Sequence, residues 1–174
     1  MTFTVTEKGE SQLDAIEKRG VSYAEVRIID INPFERTGIS LEQMYFLQVF
    51  MLFCLFENSA YIKQKELNLI NKNHNLIAIS GRKNKLQLYR YTRCQVLLED
   101  WGQHIFGKLF QIAKVIDTAV NSNKYMECVF NEFLKLKDKS LLPSSKIRNE
   151  IKPKGESFIS FGIRKALKYK TKTI

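Results

Sequence analysis

This sequence has few of the residues and patterns that indicate disulfide bonds, metal sites or membrane-spanning helices. Its 174 residues include only 3 Cys, 3 Pro and 2 His. The cysteines are odd in number and lack metal-ligand spacing, which argues against a disulfide framework and a zinc site and favours reduced thiols. The apolar run at residues 44–56 is too short to cross a bilayer and indicates a buried helix instead. Since the first residues lack the pattern of a targeting signal, we expect a cytoplasmic protein without membrane contact.

Ready-made catalytic motifs are scarce as well. The sequence has no glycine-rich phosphate loop and no ordered set of Ser, His and Asp residues, and neither His74 nor His104 has a Glu or Cys at ligand spacing. Cys54 and Cys128 lie in apolar helical patterns, where a cysteine is expected to be buried and to pack as a small hydrophobic residue. Against these absences, residues 23–34 are the most informative stretch of the sequence.

The composition is that of a globular protein with unevenly placed charge. A hydrophobic fraction of 44% argues against disorder, and the length suits one core, so we predict a single domain over residues 1–174. The net charge is +10, with 5 basic and 9 acidic residues in positions 1–60 but 23 and 9 in positions 61–174. Such asymmetry can indicate binding of nucleic acid or another polyanion. The lysines are dispersed and no nucleic-acid motif is present, so a solvated basic surface is favoured.

Start and stop signals predict an α+β fold that is mostly helical, with a few antiparallel strands packed on a helical layer. Ser40 and Gln43 have the spacing of a capping box, and the helix that they begin is expected to run to about Glu57 at the centre of the core. Apolar periodicity and turn residues place the other elements. The predicted strands are residues 2–6, 21–31 and 86–89, and the predicted helices are residues 9–19, 65–79, 95–120, 124–137 and 157–168, with a further helix start at residues 142–145.

The most informative strand pattern is that of residues 21–31. Alternation along a strand places Glu25 and Arg27 on one face, with Val26 and Ile28 on the other face, buried against the helix of residues 44–56. An acid and a base on one strand face are most often a solvated pair. The same arrangement also suits a site for a metal ion and a phosphate, because a carboxylate is a hard oxygen ligand for Mg²⁺ and a guanidinium binds phosphate oxygens in bidentate fashion.

The sequence around this strand resembles that of the proteobacterial type of glutamate–cysteine ligase, also called γ-glutamylcysteine synthetase. The resemblance covers most of the chain and is most specific in the sequence Glu-Val-Arg followed by Asp-Ile-Asn-Pro-Phe. The segments that carry it are residues 9–11, 14–15, 20–27, 30–34, 38–39 and 81–83, and more loosely residues 143–164.

The resemblance implies an ATP-dependent ligase that uses Mg²⁺ or Mn²⁺. In this family, ATP phosphorylates the side-chain carboxylate of L-glutamate, and the amine of L-cysteine then attacks the acyl phosphate in the first step of glutathione biosynthesis. The implied fold contains a glutamine-synthetase-like antiparallel sheet, on which Glu25 would ligate the metal and Arg27 would face the phosphates. Arg82 and Lys83, in a basic turn after a predicted helix, are further candidates for the nucleotide, although they could equally complement the helix dipole.

The resemblance covers only the C-terminal part of the family. We therefore expect a ligase fold truncated at its N-terminus, inactive alone, whose partner would be the missing N-terminal part with its further metal and substrate residues. Two alternatives stay open. The chain could be a decayed remnant that folds poorly, or a small basic helical protein that binds nucleic acid or another polyanion.

Overall fold

The computed structural model describes residues 2–27, 29–91 and 94–170. The chain divides into two compact units, Met1–Asn32 and Pro33–Ile174. Helices dominate the described residues, and the strands form antiparallel pairs, which confirms the prediction of a mostly helical fold with a small antiparallel component. A single domain over residues 1–174 and a glutamine-synthetase-like sheet stay predictions.

The first unit consists of a short helix between two paired strands. The helix begins at Ser11, which forms a capping box with Asp14, and it ends at Gly20, whose φ of 74° suits glycine. This confirms the predicted short helix. Ala15 on the inner face of the helix is fully buried. The elements are β1 (Thr2–Phe3), α1 (Gln12–Arg19) and β2 (Tyr23–Ala24), with β1 antiparallel to β2.

The prediction of a long strand at residues 21–31 is wrong for the residues that the structure describes. Only Tyr23 and Ala24 form a strand, because β1 offers just two residues to pair with them and a ladder extends only as far as its neighbour. The opening strand is likewise shorter than the predicted residues 2–6. Val26 is 43% exposed, so its predicted burial is also wrong. Ile28 lies outside the described residues.

In the described residues, the second unit is built from six α-helices, two short 3₁₀ helices (Lys139–Leu141 and Lys152–Lys154) and one strand pair. The predicted helices at 65–79 and 124–137 are confirmed. The predicted helix at 95–120 begins later, because residues 94–97 pair with the preceding strand instead. The elements are α2 (Leu41–Phe56), α3 (Gln64–Ser80), β3 (Gln87–Tyr91), β4 (Cys94–Leu97), α4 (Leu98–Val120), α5 (Lys124–Lys137), α6 (Pro143–Ile151) and α7 (Phe158–Lys170).

The core of the second unit lies where α2, α4 and α5 pack together. The predicted capping box at the start of α2 is present: the Gln43 N–H donates to Ser40 Oγ, and the Ser40 N–H donates to Gln43 Oε1, both at 3.1 Å. We predicted that α2 forms the centre of this core. Only one side of the helix does so, since Val49 is its one fully buried residue. The buried core residues are Val49, Leu109, Ala113, Cys128 and Val129.

The two helical cysteines differ from each other. Cys128 is buried as predicted, and burial raises the pKa of its thiol to about 11. Cys54 is exposed, so the prediction of its burial is wrong. The reason is its position on the side of α2 that faces away from α4 and α5.

Phe34, near the start of the second unit, packs against α7. The ring of Phe34 lies against the ring of Phe161, with centroids 6.4 Å apart, and the Lys165 ammonium lies 4.5 Å from the Phe34 centroid. Lys165 is buried and pairs with Glu150 at 2.8 Å. Cation–π contact and an ion pair together satisfy this buried charge.

Across the part of the chain that the structure describes, we find no helix with the combined length and apolar character that crossing a membrane requires.

Candidate functional site

The acid and the base singled out in the sequence lie side by side just after β2. Arg27 Nη2 donates to Glu25 Oε2 at 2.7 Å, and both side chains are partly exposed. The two residues are separated by one position in the sequence, and their hydrogen bond brings the two side chains together. The predicted juxtaposition of Glu25 and Arg27 is therefore present, although the strand that was expected to carry it ends at Ala24.

The electrostatics of this pair favour the charged form of the base. The hydrogen bond from Arg27 to the Glu25 carboxylate raises the pKa of the guanidinium. A permanently charged planar donor beside a carboxylate can exchange that partner for phosphate oxygens, which a guanidinium can bind in bidentate geometry. Tyr23, which precedes the pair on β2, is exposed as well.

The donor chemistry fits Mg²⁺ only in part. Glu25 offers a half-exposed carboxylate, the hard oxygen ligand that Mg²⁺ prefers. Within residues 2–27, 29–91 and 94–170, no group of three or more His, Cys, Asp or Glu side chains could hold a metal ion. Because Mg²⁺ requires near-octahedral oxygen coordination, Glu25 can serve as one ligand of a site whose other ligands come from outside these residues or from solvent.

The second candidate region is the basic turn that follows α3. Arg82 Nη2 donates to Ser144 Oγ at 2.5 Å, which ties the turn to the start of α6. Lys139 Nζ donates to the carbonyl oxygens of Arg82 and Lys83, each at 3.0 Å. A cation thus sits at the C-terminal end of α3, where the helix dipole is negative. The residue that complements the helix dipole at this turn is therefore Lys139, which the sequence analysis did not single out.

A cleft of about 600 Å³ opens beside this turn, within the second unit. Its lining combines apolar side chains with the cations Arg82, Lys135 and Lys139 and with the acid Glu132, which forms an ion pair with Lys135. Arg82 lines it, whereas Lys83 does not. The lining residues are Ile77, Ala78, Ile79, Gly81, Arg82, Leu98, Phe106, Glu132, Lys135, Leu136, Lys139, Leu142 and Ser144.

The structure therefore brings the predicted residues together in two separate groups. Glu25 and Arg27 form a pair in the first unit, and Arg82 joins Lys135 and Lys139 around the cleft in the second unit. Sequence reasoning missed Lys135 and Lys139. The available signal was a run of lysines, with Lys135 in the last turn of the predicted helix 124–137 and Lys139 two residues beyond its end, but such a lysine-rich helix end is more often a solvated surface.

Comparison with known proteins gives a consistent result. The model of the glutamate–cysteine ligase family matches residues 3–77, a range that includes the Glu25–Arg27 pair. A glutamate–cysteine ligase from Clostridium acetobutylicum is 46% identical over 160 residues, which are 91% of this chain and 33% of that relative. One from Pseudomonas putida is 34% identical over 162 residues, 93% of this chain and 31% of the relative.

A solved structure agrees in fold. The crystal structure of the glutamate–cysteine ligase from Francisella tularensis in complex with AMP matches 97% of this chain with a TM-score of 0.79 and 26% identity. The match covers 34% of that chain. This chain thus spans about a third of the length of the curated and solved relatives that it matches.

Proposed function

The chain belongs to the glutamate–cysteine ligase family, and we propose that it is a segment of an ATP-dependent ligase that joins the side-chain carboxylate of L-glutamate to the amine of L-cysteine. Its activity requires the polypeptide that corresponds to the other two thirds of its relatives. The same relationship supports a cytoplasmic location and a role in glutathione biosynthesis.

The observation that carries this proposal is the contact between Glu25 and Arg27 inside the matched range. The two side chains lie 2.7 Å apart at their polar ends and both reach solvent. Ligand-binding groups must be accessible and charged, and this pair meets both conditions. A buried pair, or side chains on opposite faces, would have argued against a phosphate and metal site.

In the proposed site, Arg27 faces the phosphates of ATP. Transfer of the γ-phosphoryl group to the glutamate carboxylate gives ADP and an acyl phosphate, and attack by the cysteine amine then releases inorganic phosphate. Negative charge accumulates on the phosphoryl oxygens during transfer, so a fixed guanidinium stabilises the transition state. The AMP complex of the Francisella tularensis relative supports nucleotide use by the same fold.

Glu25 is proposed as one Mg²⁺ or Mn²⁺ ligand. A divalent ion held there would neutralise phosphate charge and would help to orient the phosphoryl group. The proposal includes a glutamine-synthetase-like antiparallel sheet in the complete ligase, in which additional strands would extend the short β1–β2 pair and carry the remaining ligands. Arg82 is a secondary candidate for the nucleotide because it lines the basic cleft. Lys83 has less support, since its described contact is through its main-chain carbonyl.

The test is a hybrid enzyme in which this chain replaces the matching third of the Clostridium acetobutylicum ligase. With ATP, Mg²⁺, glutamate and cysteine, we expect the hybrid to form γ-glutamylcysteine, and Arg27→Ala to lower kcat by about 10²–10³-fold, the usual effect of losing one transition-state donor. Glu25→Gln should raise the Mg²⁺ concentration needed for half-maximal rate.

Glu17→Gln is the matched control, because Glu17 is an exposed acid on α1 outside the motif. It should leave both quantities unchanged. A hybrid whose rate and metal dependence are indifferent to Arg27→Ala and Glu25→Gln would reduce the pair to a surface ion pair and overturn the proposed site.

A further inference from the structure

Helix α2 has the composition of a buried helix but is buried on one side only. Among its 16 residues, Glu42 is the one charged side chain. A helix that is apolar nearly all round normally lies inside a protein. Yet Met44, Met51 and Leu55 are 54%, 39% and 74% exposed.

These three residues share one face of the helix, on which the exposed Gln48 lies between Met44 and Met51. Their spacings of seven and four residues are those of one helix face. Val49 lies on the opposite side of the helix and is fully buried among α4 and α5. Cys54, which directly precedes Leu55, is also exposed. We call the face formed by Met44, Met51 and Leu55 the α2 stripe.

Neither water nor a lipid surface suits the α2 stripe. A solvent-facing helix side normally carries charged residues, and a contiguous exposed apolar face usually marks an interaction site. A helix that lies in a membrane interface needs a charged face opposite its apolar face. The opposite face of α2 is instead packed into protein, so the stripe requires a protein occupant.

We propose that the α2 stripe is the docking surface for the remaining two thirds of a glutamate–cysteine ligase. The relatives contain this segment within chains about three times as long, so in them a larger body of polypeptide is joined to the same fold. The stripe consists of flexible methionine and leucine side chains without charge, which suits a permanent intramolecular interface. This inference deepens the proposed function and rests on it.

Cys54 provides a direct readout of the docking. In the isolated chain we expect Cys54 and Cys94, both exposed, to react with a maleimide, while the buried Cys128 does not. In the hybrid with the Clostridium acetobutylicum ligase, labelling of Cys54 should slow by at least about tenfold, because reaction then requires local opening of the interface. Mass spectrometry of the individual peptides separates the three thiols.

Charge placed on the α2 stripe tests the same surface without labelling. Met51→Glu should leave the thermal unfolding of the isolated chain nearly unchanged but lower the unfolding temperature of the hybrid. Leu55→Ser is the milder second variant, in case Met51→Glu disturbs the isolated chain. Val115→Glu, on an exposed residue of α4, is the matched control and should affect both proteins equally.

Each outcome is decisive. An inactive hybrid with protected Cys54 supports the docking and overturns the proposed function. An active hybrid with unprotected Cys54 supports the proposed function and overturns the docking. If the isolated chain dimerises through the stripe, so that Cys54 is protected and Met51→Glu restores a reactive monomer, the occupant is a second copy and the proposal is overturned. Equal effects of Met51→Glu and Val115→Glu would also overturn it.

Discussion

At the scale of single residues, Glu10 is the group whose titration contributes most clearly to local stability. Arg19 donates to its carboxylate and Lys18 pairs with it at 3.2 Å. The hydrogen bond from Arg19 is the main cause that lowers the pKa of Glu10 from 4.5 to about 2. A lowered pKa in the folded state stabilises the fold above the unfolded pKa, and this contribution is lost as the pH falls from about 4.5 towards 2.

We predict that the carboxyl ¹³C shift of Glu10 titrates with a midpoint near the lowered pKa of about 2. Arg19→Ala should return that midpoint most of the way towards the ordinary value, because it removes the strongest donor. Lys18→Ala is the matched control and should move it less. Equal midpoints in wild type and Arg19→Ala would show that this ion pair does not persist in solution.

A second residue-scale feature is the buried carboxylate of Asp117 near the end of α4. It is 6% exposed and accepts the N–H groups of Tyr125 at 3.2 Å and Met126 at 2.8 Å. These N–H groups belong to the first turn of α5, whose own N-cap residue, Asn123, makes no side-chain capping bond. Asp117 therefore caps α5 from the preceding helix.

Asp117→Ala should destabilise the chain by about 1–3 kcal/mol, because it leaves two helix N–H groups without their acceptor in a buried setting. Asp117→Asn keeps one acceptor oxygen and should cost less. Urea unfolding followed by circular dichroism measures both. Lys114→Ala, an exposed change on the same helix, should stay within about 0.5 kcal/mol of wild type. A similar stability for all three variants would contradict the capping role.

At the scale of elements, two glycines of α4 have different surroundings. Glycine has a low helix propensity, yet the helix runs unbroken over Leu98–Val120. A Cβ atom on Gly102 would lie 2.7 Å from Leu136 Cδ2 on α5, whereas one on Gly107 would meet nothing within 4 Å. Gly102 thus permits close packing of α4 on α5, and Gly107 only costs helix propensity.

Gly107→Ala should stabilise the chain by about 0.5–1 kcal/mol, the propensity difference between the two residues in a helix. The free energy of unfolding of Gly102→Ala should be about 1–2 kcal/mol lower than that of Gly107→Ala, because the added methyl group forces Leu136 to move and overpacks the interface. The two variants are matched controls for each other in one urea series. Equal stabilisation by both would show that α4 and α5 do not approach closely at Gly102.

At the scale of the whole molecule, the described residues supply only part of the proposed site. Glu25 and Arg27 supply one carboxylate and one guanidinium, and the described residues contain no group of three or more acidic, His or Cys side chains that could complete a metal centre. Phosphoryl transfer depends on several positioned charges at once, and losses among residues that act together are not additive.

We therefore expect the isolated chain to form no measurable γ-glutamylcysteine with ATP, Mg²⁺, glutamate and cysteine. The complete Clostridium acetobutylicum ligase is the positive control in a coupled assay of ADP release. Turnover by the isolated chain that is well above background and abolished by Glu25→Ala would contradict this expectation. It would mean that the segment assembles a working site by itself.

The helices were largely predictable because their signals are local. Ser40 with Gln43, and the periodicity of residues 124–137, act within one or two turns of the chain. The prediction of a strand at residues 21–31 was wrong because strand formation depends on distant residues. Its β-branched sequence favours extended backbone, but a strand forms only where another strand supplies hydrogen bonds.

The sequence by itself determined the helical order, the neighbouring positions of Glu25 and Arg27, and the family resemblance, since each depends on residue types at short spacing. Tertiary structure alone decided that Val26 and Cys54 are exposed, that Arg82 shares a cleft with Lys135 and Lys139, and that Asp117 caps α5. These features depend on which distant segments meet. Burial and hydrogen-bond pairing are properties of such contacts, and local residue patterns do not encode them.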